Sequence, residues 1–192
     1  MELPRYASVI APVIDSPVLR HYDSWNGAIK IPPPLAYFLT WTCHGTWLHG
    51  DDRGSVDRAH NAPGTPLIPP DAQRRDREKR SLLHIPNVLN DEARRTVQES
   101  IADHCHLRGW ELRAINVRTN HVHVVVSCPG DVPPERVMTE FKLWATRRLR
   151  VGRLIPPHGR PWTRHGSTRW INNQQSLDAA VAYVVEGQDG GS

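Results

Sequence analysis

The chain has 192 residues, a length that favours one domain with long loops over two domains. No stretch approaches the roughly 18 apolar residues that a membrane span needs, and the first residues do not resemble a secretory signal. The net charge of +4 alone is a weak indication of an anionic partner. Three widely spaced cysteines, Cys43, Cys105 and Cys128, argue against a disulfide framework. We therefore expect a cytoplasmic protein with no membrane partner.

The N-terminal third of the chain contains few regular elements. Residues 1–34 are rich in proline and show no period, so we expect an irregular arm before a single domain at 35–188. The segment LAYFLTWT at 35–42 predicts the first strand, because aromatic and β-branched residues dominate it. A long loop rich in Gly, Asp and Pro is expected at 43–86, with a short solvated helix in its charged part at 74–80.

A helix and a β-hairpin are predicted next. Asn90 can cap a helix that runs from Asp91 to about Leu107. The segments WELRAINV at 110–117 and HVHVVVSC at 121–128 predict two strands joined by a tight turn.

The last part of the chain predicts a helix, a strand and a second helix. The first helix opens at Pro133 or Pro134 and reaches about Arg150, and we expect Trp144 on its buried apolar stripe. A short strand follows at 167–171, and Ser176 is expected to cap a final helix ending near residue 187. The order predicts an α+β fold: a ferredoxin-like βαββαβ antiparallel sheet with helices on one face, plus a C-terminal helix.

Two His-x-His pairs are present, and secondary structure separates them. Residues two apart diverge on a helix but share one face of a strand. His104 and His106 lie near a predicted helix end, whereas His121 and His123 lie in the best predicted strand, alternating with core valines. The second pair can hold one metal ion, or its members can simply be polar residues on the wetter face. Histidine binds several transition metals, so the pair does not name the ion.

A tyrosine of the last helix lies away from that helix's apolar stripe. The stripe consists of Leu177, Ala180, Val181, Val184 and Val185. At about 100° per residue, Tyr183 lies roughly 130° from its centre, among small residues that leave the hydroxyl accessible. The residue is either an ordinary surface tyrosine or a nucleophile, whose charge would need stabilisation because a phenol has a pKa near 10.

Basic residues are concentrated between positions 131 and 170. Nine Lys and Arg side chains face only three acidic ones there, which gives a local charge of 9 − 3 = +6. Arginine predominates and can bind phosphate through two hydrogen bonds. The residues that we expect to contact nucleic acid are Lys142, Arg147, Arg148, Arg164 and Arg169.

Taken together, these features resemble the HUH single-tyrosine transposases, which include insertion-sequence transposases and REP-associated tyrosine transposases. The resemblance rests on NHVHVVVSC at 120–128, MTEFKLWATRRL at 138–149 and WTRHGSTRWINNQQSLDAAVAYVVEGQ at 162–188. The opening YFLTWTCHGTWLHGDDRGSVDRAHN at 37–61 is similar to a branch of this family with a long loop after its first strand. The resemblance covers about 35–188.

The resemblance implies a transposase-like endonuclease and strand transferase that acts on single-stranded DNA near hairpins. His121 and His123 would bind Mg²⁺ or Mn²⁺, and Tyr183 would form a 5′-phosphotyrosine intermediate. Such a protein would be associated with the nucleoid of a bacterium, and a homodimer is one option. Family members often have a third ligand one helical turn after the tyrosine, where this chain has glycine. We rank Gln188 above Glu186 as its replacement.

Two other interpretations stay open at this stage. One is a non-catalytic single-stranded DNA-binding module that kept the fold, which the glycine at position 187 favours. The other is an unrelated metal hydrolase in which Tyr183 has no role. A covalent protein–DNA adduct would distinguish the transposase interpretation from both.

Overall fold

The computed structural model describes residues 32–48, 51, 68–81 and 86–186. Most of the expected N-terminal arm and half of the expected long loop therefore lie outside the described residues. The strands are β1 (Ala36–Thr42), β2 (Glu111–Val117), β3 (His121–Ser127) and β4 (Ser167–Ile171). The helices are α1 (Ala72–Ser81), α2 (Asp91–Arg108), α3 (Pro134–Val151) and α4 (Gln174–Val185).

The four strands form one antiparallel sheet in the order β2-β3-β1-β4. Strand β3 lies between β1 and β2, so the hairpin strand is hydrogen-bonded on both sides. The predicted α+β class and the βαββαβ order are confirmed. The fold is more than a bare ferredoxin-like unit, because α1 is inserted between β1 and α2 and α4 follows the last strand.

Strand alternation separates two apolar clusters, one on each face of the sheet. Tyr37, Leu39 and Trp41 of β1 pack with α2 and α3 in the larger cluster. Ala36 of β1 and Val125 of β3 belong to the smaller cluster, together with α4. Successive side chains of a strand point to opposite faces, so β1 and β3 each contribute residues to both clusters. The predicted core positions of β3, Val122, Val124 and Val126, are fully buried in the larger cluster.

The long insertion leaves and re-enters the domain at one end of the sheet. The backbone N–H of Asn87 donates to the carbonyl of His44 at 2.8 Å, so the two ends of the insertion meet. The N–H of Leu89 donates to the carbonyl of Thr119, in the turn just before β3, also at 2.8 Å. Helix α1 lies within this insertion and has no buried residue, as its charged sequence predicts.

The helix boundaries agree with the predictions except at one cap. Asn90 caps α2, and its side-chain oxygen accepts from the N–H of Ala93 at 2.8 Å. The cap of α4 is Asn173 and not Ser176, because the Asn173 oxygen accepts from the N–H of Ser176 at 2.8 Å. The predicted cap is therefore wrong by three residues, and Ser176 supplies the capped donor instead.

The expectation that Trp144 belongs to the core is also wrong. Its side chain is 37% exposed, whereas Val137, Phe141, Ala145 and Leu149 of α3 are completely buried. These four residues recur every fourth position and fill the interface with the sheet. Trp144 lies at the margin of that stripe, where it can reach solvent.

Among the residues that the structure describes, no helix combines the length and apolar character required to cross a bilayer.

Candidate active site

The His121–His123 pair lies on the face of β3 that α4 covers. His123 is paired with Thr40 of β1 on one side and with Asn116 of β2 on the other, so its backbone is fixed by two neighbours. The rings of His121 and His123 are 4.7 Å apart between centroids. The prediction that both imidazoles share one sheet face is therefore confirmed, and it follows from the two-residue period of a strand.

Each imidazole is oriented by a neighbouring polar side chain. The Nδ1 atom of His121 lies 2.6 Å from the side-chain oxygen of Asn120, which can only accept, so this nitrogen carries the proton. The Nδ1 atom of His123 is hydrogen-bonded to the hydroxyl of Thr40 at 2.8 Å. Partners of this kind fix ring orientation and tautomer in metal sites, and they direct the Nε2 atoms to the ligand.

His123 is set up to remain neutral. Burial, followed by the charges of His121 and Arg118, lowers the pKa of His123 from 6.5 to about 4. Its side chain is 7% exposed, which accounts for the desolvation. A histidine must be neutral to bind a metal, so the ring is available as a ligand throughout the physiological pH range.

Tyr183 projects from α4 towards this pair. Its ring lies 5.7 Å from the ring of His123 and 5.9 Å from that of Phe38, edge-on to both. The side chain is 49% exposed, so the phenol is also open to a macromolecular substrate. Leu177, Ala180 and Val184 of α4 are buried against the sheet, which turns the opposite side of the helix outward. The Tyr183 ring thus contacts His123, one member of the histidine pair.

Phe38 contacts both His123 and the basic side chain of Arg169. It lies on β1 between the other groups, with its ring stacked 5.6 Å from that of His123. The guanidinium carbon of Arg169, on edge strand β4, is 5.5 Å from the centre of the Phe38 ring. Arg169 is thereby on the same face as the tyrosine and the histidine pair, where a phosphate group would need a counter-charge.

The third metal ligand is not provided within the described residues. Glu186 is the exposed C-terminal cap of α4, and Gln188 lies outside the part of the chain that the structure describes. In the described ranges no group of three or more His, Cys, Asp or Glu side chains is arranged to hold a metal ion. The site as described therefore offers a metal two imidazoles.

These two imidazoles fit a divalent metal ion in chemistry and arrangement. Both come from one rigid strand, both have a defined Nδ1 partner, and one is held neutral by burial. A metal bound by two protein ligands keeps several positions for water or substrate oxygen, as Mg²⁺ does when it meets phosphate.

Most of the predicted nucleic-acid contacts lie on other surfaces. Helix α3 packs on the sheet face opposite the histidine pair, with Arg147 over the Trp144 ring at 5.1 Å and Arg148 paired with Asp103 at 2.6 Å. Arg164 is exposed in the segment before β4. Among the five predicted residues, Arg169 shares a neighbour with the tyrosine, since both lie against the Phe38 ring.

The amine of Lys142 is hydrogen-bonded to backbone carbonyls of the same chain. Its Nζ donates to the carbonyls of Thr163 and His165, both at 3.1 Å, and burial lowers the pKa of its amine to about 8. These contacts tie α3 to the segment that leads into β4, so the lysine has a structural use whether or not it contacts phosphate.

The other His-x-His pair has a structural arrangement. His104 is buried and its Nε2 atom lies 2.9 Å from a carboxylate oxygen of Glu140, while His106 is exposed. Arg108 and Arg136 also contact Glu140, and the three partners lower the pKa of this carboxylic acid against the effect of burial. The predicted divergence of the two imidazoles is confirmed, as expected for residues two apart on a helix.

Four site residues were not singled out from the sequence: Phe38, Thr40, Asn116 and Asn120. The signal for Thr40 is its position in LAYFLTWT, where threonines interrupt an otherwise apolar strand. Recognising its role requires the β1–β3 register, which sets Thr40 opposite His123. Asn116 in the same way needs the β2–β3 register.

One comparison with known proteins shows the family of this chain. A family model described as IS200-like transposase matches residues 86–185, which is 100 of the 192 residues. No curated protein sequence matches the chain. Among solved structures, a candidate transposase from Deinococcus radiodurans R1 is 16% identical, with a TM-score of 0.46 over 85% of this chain and 98% of its own. A REP-associated tyrosine transposase bound to a REP hairpin is 14% identical, with a TM-score of 0.45 over 86% and 70%.

Proposed function

Since this chain belongs to the IS200-like transposase family, we propose that it cuts and rejoins single-stranded DNA with Tyr183 as the nucleophile. The observation that carries the proposal is the contact of Tyr183 with His123, whose ring lies 5.7 Å from the tyrosine ring and belongs to the His121–His123 pair. The tyrosine comes from α4 and the pair from β3, so the fold brings together a tyrosine and two histidines that are distant in sequence.

The proposed reaction is a transesterification at phosphorus. The phenolic oxygen of Tyr183 forms a bond to a DNA phosphorus atom, and the bond from that phosphorus to the 3′ oxygen breaks. The phenol loses its proton and the departing 3′ oxygen gains one, leaving a 5′-phosphotyrosine and a free 3′-hydroxyl. Attack by another 3′-hydroxyl reverses the bond changes and releases the tyrosine. One phosphodiester is exchanged for another, so no energy source is needed.

His121 and His123 would hold Mg²⁺ or Mn²⁺, which would polarise the phosphate as a Lewis acid. Thr40 and Asn120 keep the two imidazoles in the required orientation. Arg169 would add positive charge on the same side, where negative charge accumulates on the phosphate oxygens during the reaction. Phe38 offers Arg169 a cation–π contact.

The substrate class follows from charge and accessibility. Tyr183 is half-exposed on a surface and not in a closed pocket, so a polymer strand can reach it. The arginines of α3 lie on the other face of the sheet, and a folded DNA hairpin is long enough to contact both a basic surface and the cleavage site. We therefore favour a single strand that carries a hairpin beside the cut.

A non-catalytic single-stranded DNA-binding module is the second candidate. Within the described residues, no third metal ligand accompanies the two histidines, and Glu186 is the exposed C-terminal cap of α4. This arrangement favours the binding module. Such a module would bind the same DNA without forming a covalent product.

Tyr183→Phe provides the test of the proposal. Labelled single-stranded DNA from the flanks of the gene, with an imperfect hairpin, is incubated with Mg²⁺ or Mn²⁺ and resolved on a denaturing gel. The wild type should form an adduct that survives denaturation, and Tyr183→Phe should form none while binding the DNA equally well. The variant loses one hydroxyl from a half-exposed side chain, so its free energy of unfolding should change by less than about 0.5 kcal/mol.

His121→Ala is the matched control for metal dependence, since it should also stop cleavage but leave the nucleophile intact. An adduct formed by Tyr183→Phe would show that another residue attacks the phosphate. A wild type that binds these DNAs yet forms no adduct with either ion would favour the binding module.

A further inference from the structure

Asn116 of β2 is hydrogen-bonded to the helix that carries Tyr183. Its side-chain NH₂ donates to the backbone carbonyl of Val184 at 2.9 Å. Val184 is the residue after Tyr183, and its own side chain is completely buried against the sheet. Only the NH₂ group of the amide can face a carbonyl, so the direction of this hydrogen bond is fixed by chemistry.

The contact lies in the last turn of α4, where a helix has run out of donors for its own carbonyls. Helix α4 ends at Val185, so the carbonyl of Val184 belongs to this group. A side chain from the sheet therefore supplies a donor at the end of the helix that bears the tyrosine.

The position of Asn116 in the sheet links this bond to the histidine pair. Asn116 is the residue directly opposite His123 in the β2–β3 ladder. It lies on the same face as Ala114, which packs with α4, because residues two apart on a strand share a face. One asparagine thus connects the strand next to the proposed metal ligand with the backbone next to the proposed nucleophile.

We propose that Asn116 is a positioning residue that sets the distance between Tyr183 and the His121–His123 pair. This inference rests on the proposed function, because it concerns the placement of the nucleophile. The smaller apolar cluster holds α4 through Leu177, Ala180 and Val184, whose van der Waals contacts have no preferred direction. A directed hydrogen bond at the tyrosine end defines the helix position along the sheet more sharply than these contacts do.

The chain contains a matched control at the other end of the same helix. Asn173 caps the N-terminus of α4 through the N–H of Ser176. Both asparagines stabilise α4 by one side-chain hydrogen bond, but Asn173 is about ten residues, or about 15 Å of helix, from the tyrosine. If stability of α4 is all that matters, losing either asparagine should have the same consequence.

The experiment compares Asn116→Leu and Asn173→Ala with the wild type. Asn116→Leu keeps a side chain of similar volume but removes the hydrogen-bond donor. If the Asn116→Leu variant does not fold, Asn116→Ala is used in its place. Single-turnover adduct formation is measured at saturating hairpin DNA, together with DNA affinity and Tm. Cross-relaxation between ring protons of Tyr183 and His123 reports their proximity without any reaction.

We expect Asn116→Leu to slow adduct formation by about 10- to 100-fold, since a displacement near 1 Å has effects of that order. DNA affinity should stay unchanged and the Tyr183–His123 cross-peak should weaken. Asn173→Ala should remain within about threefold of wild type at a comparable loss of Tm.

Equal slowing by both variants, or an Asn116 variant as fast as wild type, would overturn the positioning role. In the same gels Tyr183→Phe separates the two proposals. An adduct in that variant overturns the nucleophile and this inference together. If Tyr183→Phe forms no adduct but Asn116→Leu forms it as fast as the wild type, this inference alone is overturned.

Discussion

Acidification of the metal-free protein should reveal the cost of burying His123. The pKa of His123 is lowered from 6.5 to about 4, first by burial and then by the charges of His121 and Arg118. Between these two pH values the unfolded chain binds a proton that the folded chain does not bind. The free energy of unfolding therefore falls as the pH falls through this window, and rises when the pH is raised.

The size of the effect follows from the pKa values. A lowering from 6.5 to about 4, multiplied by about 1.4 kcal/mol for each pH unit, corresponds to about 3 kcal/mol. This contribution is fully present above pH 6.5 and is lost by about pH 4. Against a typical domain stability of about 5–15 kcal/mol it is large enough to measure.

Urea unfolding with a chelator present, at pH 7 and at pH 4, provides the measurement. Carboxylates also titrate in this range, so the comparison is made with His123→Gln, which keeps a polar group beside Thr40 but cannot take up the proton. The wild type should lose about 3 kcal/mol more than the variant between the two pH values. Parallel losses in the two proteins would refute the reasoning, because they would show that His123 titrates alike in both states.

Three further outcomes are expected. Because Tyr183 meets the histidine pair of its own chain, an equimolar mixture of Tyr183→Phe and His121→Ala should stay inactive, and recovered adduct would indicate sites shared between subunits. Thr40→Val should weaken Mn²⁺ binding about 10- to 100-fold in calorimetry, because losing the hydrogen-bond partner of a metal-binding histidine has effects of that size. An unchanged Mn²⁺ affinity would show that Thr40 does not orient His123 for the metal. For about four phosphate contacts, log K should fall with log salt at a slope near −3, and near −1.5 for Arg147→Ala/Arg148→Ala; an unchanged slope would exclude these arginines.

The alternating strand β3 and the cap of helix α2 could be predicted because their signals are local. HVHVVVSC has a period of two, so the shared face of His121 and His123 follows from the sequence once a strand is assumed. Asn90 and the charged first turn of α2 also act through neighbours in the chain. The position of Tyr183 outside the apolar stripe of α4 required only helical geometry.

The remaining features depend on contacts between distant segments. Thr40 and Asn116 lie opposite His123 only through the strand register, which no short window of sequence contains. Trp144 and Leu149 are both apolar residues of α3, and packing against the sheet decides which is buried. The cap of α4 was misplaced because asparagine and serine are both good caps and lie three residues apart.

The meeting of Asn87 with His44 has a consequence for the evolution and redesign of this domain. Since the backbone is already closed at that neck, a change in helix α1 should have little effect on the sheet. Loop-closure entropy grows slowly, by about 0.6 kcal/mol for each doubling of length. Helix α1 buries no residue that the core would miss. The neck is thus a natural splice point, where a short linker, a longer arm or a foreign module can be exchanged for α1.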